Sequence, residues 1–166
     1  MQSKLSCLAL PITLLLVSCA SQPMAIAPVG PRPGAWLNRA FERGPGQLQV
    51  FTETEEYEWE HDVPYFPHRD YQICTADGKR LRRVWNSQSH EDETPTVVDL
   101  PAGNYLVKAD AEFYGPVTVP VVIRPGQLTK VILQPGWNPG KTIASADLVQ
   151  MPKGYYIGWK ADIPRQ

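Results

Sequence analysis

The sequence predicts an all-β chain: a single antiparallel β-sandwich of about seven strands, with a short N-terminal helix and a C-terminal hairpin extension. Three observations carry this expectation. The 166 residues include 17 Pro and 12 Gly, a density that leaves little uninterrupted room for long helices. From Leu48 onward the apolar residues recur with a period of two, the spacing of half-buried strands rather than helices. Turn pairs, Asp77 with Gly78 and Pro125 with Gly126 among them, punctuate that alternation, as hairpins require. The length suits one hydrophobic core. With 16 basic against 17 acidic residues, a net charge of -1, there is no electrostatic warrant for a nucleic-acid partner.

The elements follow in order. Lys4 precedes an apolar run, Leu8 to Val17, too short to span a hydrocarbon core of ~30 Å, which fits a secretory signal over residues 1–18. Residues 19–35 carry Pro23, Pro28, Pro31 and Pro33 without an apolar period and read as a tether. Trp36, Leu37, Ala40 and Phe41 share one face of a short helix before Gly44, Pro45 and Gly46 break it. The sandwich is expected over residues 36–134. Leu48 and Val50 alternate in its first strand, and Tyr71 to Thr75 runs through the Asp77, Gly78 turn into a strand at Leu81 to Trp85 whose broken alternation predicts a bulge. Strands follow at Thr96–Leu100, Asn104–Phe113, Val117–Arg124 and Leu128–Leu133; Pro120 marks the third of these as an edge or a bulge. Residues 135–166 read as a linker and a hairpin turning at Pro152, Lys153 and Gly154.

Two resemblances sharpen the reading. Leu16, Val17, Ser18 and Cys19 resemble the lipobox of bacterial lipoproteins. That resemblance implies cleavage before Cys19, a diacylglyceryl group on its thiol and anchorage to a membrane through acyl chains. Ala20 and Ser21 follow where many inner-membrane lipoproteins of this type carry aspartate, which favours the outer membrane, facing the periplasm, in a cell that has one. The stretch from Val98 to Leu133, with Asp99, Leu100, Pro101, Ala102, Gly103, Asn104 and Tyr105 and later Arg124, Pro125, Gly126 and Gln127, resembles the PEGA or carboxypeptidase regulatory-like modules. Those modules are prealbumin-like, transthyretin-like β-sandwiches, so the resemblance implies a non-catalytic unit that spaces or docks at cell surfaces, with the tyrosine entering the core.

Chemistry-bearing residues are few. Histidine occurs only at positions 61, 68 and 90, and no nucleophile elbow, phosphate loop, dinucleotide fingerprint or zinc-protease helix is present. No catalytic residue, cofactor or metal is expected. Cleavage leaves Cys19 and Cys74; with Cys19 blocked by lipid, Cys74 reads as a buried structural thiol. The run Glu53–Asp62 holds six carboxylates interleaved with Tyr57, Trp59 and His61. On an extended chain Glu56, Glu58, Glu60 and Asp62 share one face. They are candidate contacts for a hard cation or a basic partner, set against a plain solvated face opposite Lys79, Arg80, Arg82 and Arg83. Tyr155, Ile157 and Trp159 share a face of the last strand, and with Trp137 the aromatic residues Tyr155 and Trp159 form a candidate platform for a glycan. The leading functional expectation is a lipid-anchored module docking an envelope protein; the alternative is a glycan-binding module.

Overall fold

The computed structural model describes residues 24–34, 44–58, 64–86, 89, 93–140 and 143–161. Their regular elements are ten strands and one 3-10 turn at Ser145–Asp147: β1 (Val29–Gly30), β2 (Gly46–Phe51), β3 (Tyr71–Thr75), β4 (Arg80–Val84), β5 (Val97–Leu100), β6 (Gly103–Ala111), β7 (Gly115–Ile123), β8 (Leu128–Ile132), β9 (Leu148–Gln150) and β10 (Tyr156–Lys160). The fold is all-β, as the alternation predicts. Among these residues no helix is long and apolar enough to cross a membrane. The signal segment, Cys19 and the helix expected over 36–41 lie outside the described residues.

The strands form a seven-stranded sheet, β4-β3-β6-β7-β1-β10-β9, and a three-stranded sheet, β5-β2-β8. Alternation along β6 separates two faces: Val107, Ala109 and Ala111 are buried, whereas Lys108 is exposed. Val119, Val121 and Ile123 of β7 join them, and Leu48, Val50 and Val131 arrive from the smaller sheet, in one core cluster. The β3–β4 hairpin turns at Gly78, whose φ of 89° suits glycine. Its register shifts between Ile73, opposite Arg82, and Cys74, opposite Arg80, so Leu81 is the extra residue of the expected bulge.

Several expectations need correction. The pairing is mixed, not antiparallel throughout: β2 runs parallel to β8 from Gln47 opposite Leu128 to Phe51 opposite Ile132, and β1 meets β7 in parallel at Val29 and Val121. A two-residue period assigns faces but not partners, so it could not reveal this. The strand count rises from about seven to ten for a related reason. Val29 and Gly30, inside the segment read as tether, form a short strand, and Val29 is fully buried between β7 and β10. The C-terminal hairpin is not an appendage either, since Val149, Met151 and Ile157 belong to the common core. β10 approaches the smaller sheet so closely that a Cβ on Gly158 would lie 2.8 Å from the Lys130 carbonyl. Pro120 is neither an edge residue nor bulged. The β6–β7 register runs unbroken past it, and β1 touches β7 at one pair only, so the ladder on that side scarcely calls on the missing N–H.

Candidate functional site

The outer face of the seven-stranded sheet is built by residues that alternate with the core. Register places Gln72 beside Lys108 and Arg83 on one ladder, with Thr118 opposite Lys108. These side chains stand away from the core and meet Asp70 and Asp110 in two adjoining open depressions of about 370 and 400 Å³. Asp70, Arg83 and Asp110 line both.

Arg69 organises one side of this surface. Its Nε lies 2.9 Å from Glu55 Oε1, and its Nη1 lies 3.3 Å from Glu53 Oε2 and 3.7 Å from Asp110 Oδ2. The acidic run is therefore an arm folded back on residues 64–70: Thr54 bridges His68, Tyr57 bridges Tyr65, and the Glu55 N–H donates to the Pro67 carbonyl at 3.0 Å. Glu56 and Glu58 point into solvent, while Glu60 and Asp62 lie outside the described residues. For the described part of the run, the expectation that it faces Lys79, Arg80, Arg82 and Arg83 is corrected. Of its carboxylates, Glu53 and Glu55 are met instead by Arg69, the first Lys or Arg to follow them in the sequence, and that position is the signal through which the pairing could have been found. Among the described residues no group of three or more His, Cys, Asp or Glu is placed to hold a metal ion.

Beneath the arm, His68 is buried with Nδ1 2.6 Å from the Thr52 carbonyl and its ring edge-on to Phe51 at 5.5 Å. Burial lowers its pKa, against the opposing effects of the Thr52 bond and the Glu93 charge. A carbonyl only accepts, so Nδ1 carries the proton of the neutral ring. Arg83 holds Asp70 Oδ2 through Nη2 at 3.0 Å and Nε at 3.2 Å, and its guanidinium lies 4.3 Å from the centroid of the exposed Trp85 ring. Cys74 is a buried free thiol in β3.

The aromatic candidates separate. Trp137 and Trp159 come together with ring centroids 6.5 Å apart, inclined at 77°, and Arg32 stands 5.6 Å over Trp159. Tyr155 lies apart from them. Its hydroxyl donates to the carbonyls of Glu112 at 3.0 Å and Leu133 at 3.3 Å, and its ring meets Tyr114 edge-on. A register shift between Tyr156 and Gly158 interrupts the alternation that a common face for Tyr155 and Trp159 assumes. The three rings form no single platform.

The feature that sequence reasoning missed is the edge at β4. Its residues Arg80 to Arg83 are exposed, as are Leu81 at 49% and Trp85 at 60%. At the end of this strand the buried Asn86 donates to the carbonyls of Val50 and Arg69 and accepts from the Thr96 N–H, while Thr96 Oγ1 donates to the Trp85 carbonyl. The edge of one sheet is thus joined to the start of β5, an edge of the other, where Val97 is also exposed. A comparison of the chain with protein-family models, curated proteins and solved structures found no match.

Proposed function

We propose that the protein is a lipid-anchored, non-catalytic docking module of the cell envelope. The lipobox-like Leu16–Cys19 supports lipidation of Cys19 and a place on a membrane, the outer one, facing the periplasm, where the cell has two. Two sheets around one core support a prealbumin-like sandwich of the PEGA kind. The observation that carries docking is the β4 edge, which displays Leu81 and, one residue past the strand, Trp85, whose ring stays largely exposed beside the Arg83 guanidinium. In-cell photo-cross-linking through an unnatural residue in place of Trp85 tests this. One discrete adduct is expected, absent when the same residue replaces Lys130 and lost when Cys19→Ala releases the protein from its membrane. Equal labelling at both positions, or no adduct at either, counts against docking.

Glycan binding is the second reading, carried by the Trp137–Trp159 pair. Quenching of tryptophan fluorescence by cell-wall oligosaccharide, abolished by Trp159→Ala, is the result that would favour it.

A further inference from the structure

Among the described residues β4 closes one side of the seven-stranded sheet, paired with β3 alone. Its other side offers main-chain N–H and C=O groups to any strand that can lie beside it. Lys79, Arg80 and Arg82 bring three cations to this edge, and among the described residues no carboxylate lies within ion-pair distance of any of them. Among the described residues, Arg83 is the one cation of this edge that a carboxylate engages, Asp70. The bulge at Leu81 places Arg80 and Arg82 opposite the neighbouring residues Cys74 and Ile73, so the two guanidinium groups leave the strand on opposite faces. Leu81 on this short strand and Trp85 just past its end add exposed apolar surface.

We propose that the free edge of β4 binds an acidic, extended segment of a partner protein as an added strand. The main chain supplies the hydrogen bonds of such an addition and the side chains its selectivity. Carboxylates on both faces of the incoming strand meet Arg80 and Arg82 across the ladder, and its apolar residues cover Leu81 and Trp85. Basic residues and a bulge also guard a sheet edge against indiscriminate pairing. Here the guard is selective: a second copy of β4 would set arginine against arginine, whereas an acidic strand finds opposite charge at each position. Glu53 and Glu55 are spent on Arg69, and among the described residues no other carboxylate serves Lys79, Arg80 or Arg82. This inference deepens the docking reading and rests on it only in taking the occupant to be a protein segment.

The test is binding of a fluorescein-labelled nonapeptide, Thr-Val-Glu-Glu-Tyr-Glu-Glu-Val-Thr with blocked ends, to the full protein, followed by anisotropy. Saturable binding is expected, weakened on the order of tenfold by Arg80→Glu with Arg82→Glu. Binding should fail when proline replaces Val and Tyr in the peptide, because charge is kept while strand pairing is lost. Equal binding of the proline peptide would overturn the proposal in favour of charge attraction alone. It is overturned equally if phosphatidylglycerol vesicles, but not the peptide, bind in a manner lost with the two Glu substitutions. Self-association lost with those substitutions, in the absence of peptide binding, would also overturn it and assign the edge to a second copy. The Cys19→Ala protein should bind the peptide unchanged, so failure of the anchored docking reading in cells and failure of this edge proposal are read separately.

Discussion

Asn86 donates its Nδ2 at 3.1 Å to the carbonyl of Val50, so a buried amide just past the edge strand of the larger sheet is tied to the central strand of the smaller one. The same side chain serves the Arg69 carbonyl and the Thr96 N–H, and the Asn86 main-chain N–H donates to Asp70 Oδ1 at 3.0 Å. At 1% exposure, its removal leaves partners that water reaches poorly. Asn86→Ala is expected to cost about 3 kcal/mol, measured by urea unfolding. Faster amide exchange at Trp85 and Val97 should accompany it, since both flank the tie. A loss under about 0.5 kcal/mol, the range of ordinary surface substitutions, would show that the sheets hold their relation without it.

Tyr71 presents the opposite case. Its side chain is 2% exposed and its hydroxyl has no hydrogen-bond partner among the described residues. A buried donor without a partner costs stability, so Tyr71→Phe should be neutral or stabilising by about 1 kcal/mol. Burial raises the pKa of this hydroxyl despite the nearby Arg82 charge. The neutral form is favoured in the fold, so the stability tied to it is complete below pH ~10 and is lost as pH rises past that value. Tyr155, pushed up to about 12 by burial and then by Tyr114, Glu112 and Glu53, adds to the same alkaline loss. Thermal melts from pH 9 to 12 should therefore fall less steeply for Tyr71→Phe than for the parent, without becoming flat. Identical slopes would remove Tyr71 from the account.

His68 governs the acid side. Its pKa is lowered by burial, so protonation favours the unfolded chain. The associated stability is present above pH ~6.5 and is lost as pH falls through the lower folded-state value. The parent should lose melting temperature between pH 7 and 5, before most carboxylates titrate, and His68→Gln should lose less over that interval. Because the ring bonds Thr52 and abuts Phe51, amide exchange of residues 53–57 should quicken with acid in the parent. Parallel pH profiles for the two proteins would refute this assignment.

The hairpins are legible because their turns are local. Asp77 with Gly78, and Pro152, Lys153 and Gly154, each carry the conformational instruction within a few residues, and the strands beside them follow by alternation. β1 is not legible. Two residues cannot display a period, and Val29 is buried only because β7 and β10 close on it from distant parts of the chain. The parallel partnership of β2 and β8 is hidden likewise, since Leu48 and Val131 read as core whichever strand lies next to them. At the site the acidic residues are conspicuous, but the cation that organises them draws Glu53, Glu55 and Asp110 from two separate segments. The open edge at β4 depends on which strand is outermost, which is a property of sheet order and not of the local sequence Arg80–Val84.

The β6–β7 turn contains the one non-glycine residue of positive φ among the described residues, Phe113 at 68°. The left-handed conformation costs an L residue on the order of 1 kcal/mol, least for Asn and most for β-branched side chains. Phe113 is also 62% exposed, so its ring recovers little by burial. Its contacts are with Lys153, whose Nζ donates to the Phe113 carbonyl at 2.9 Å and lies 5.9 Å from the ring centroid. The carbonyl bond survives any side-chain change; the cation–π contact does not, and at an exposed site it is worth about 0.5–1 kcal/mol. Phe113→Asn should accordingly lie between no change and a gain of about 1 kcal/mol, whereas Phe113→Val should lose at least 1 kcal/mol by keeping the strain and discarding the ring. Urea unfolding of the pair separates the two causes. If Asn is as destabilising as Val, the ring and its lysine hold this turn together; if Asn matches or exceeds the parent, the backbone conformation dominates, and the phenylalanine contributes nothing to the stability of the fold that displays it.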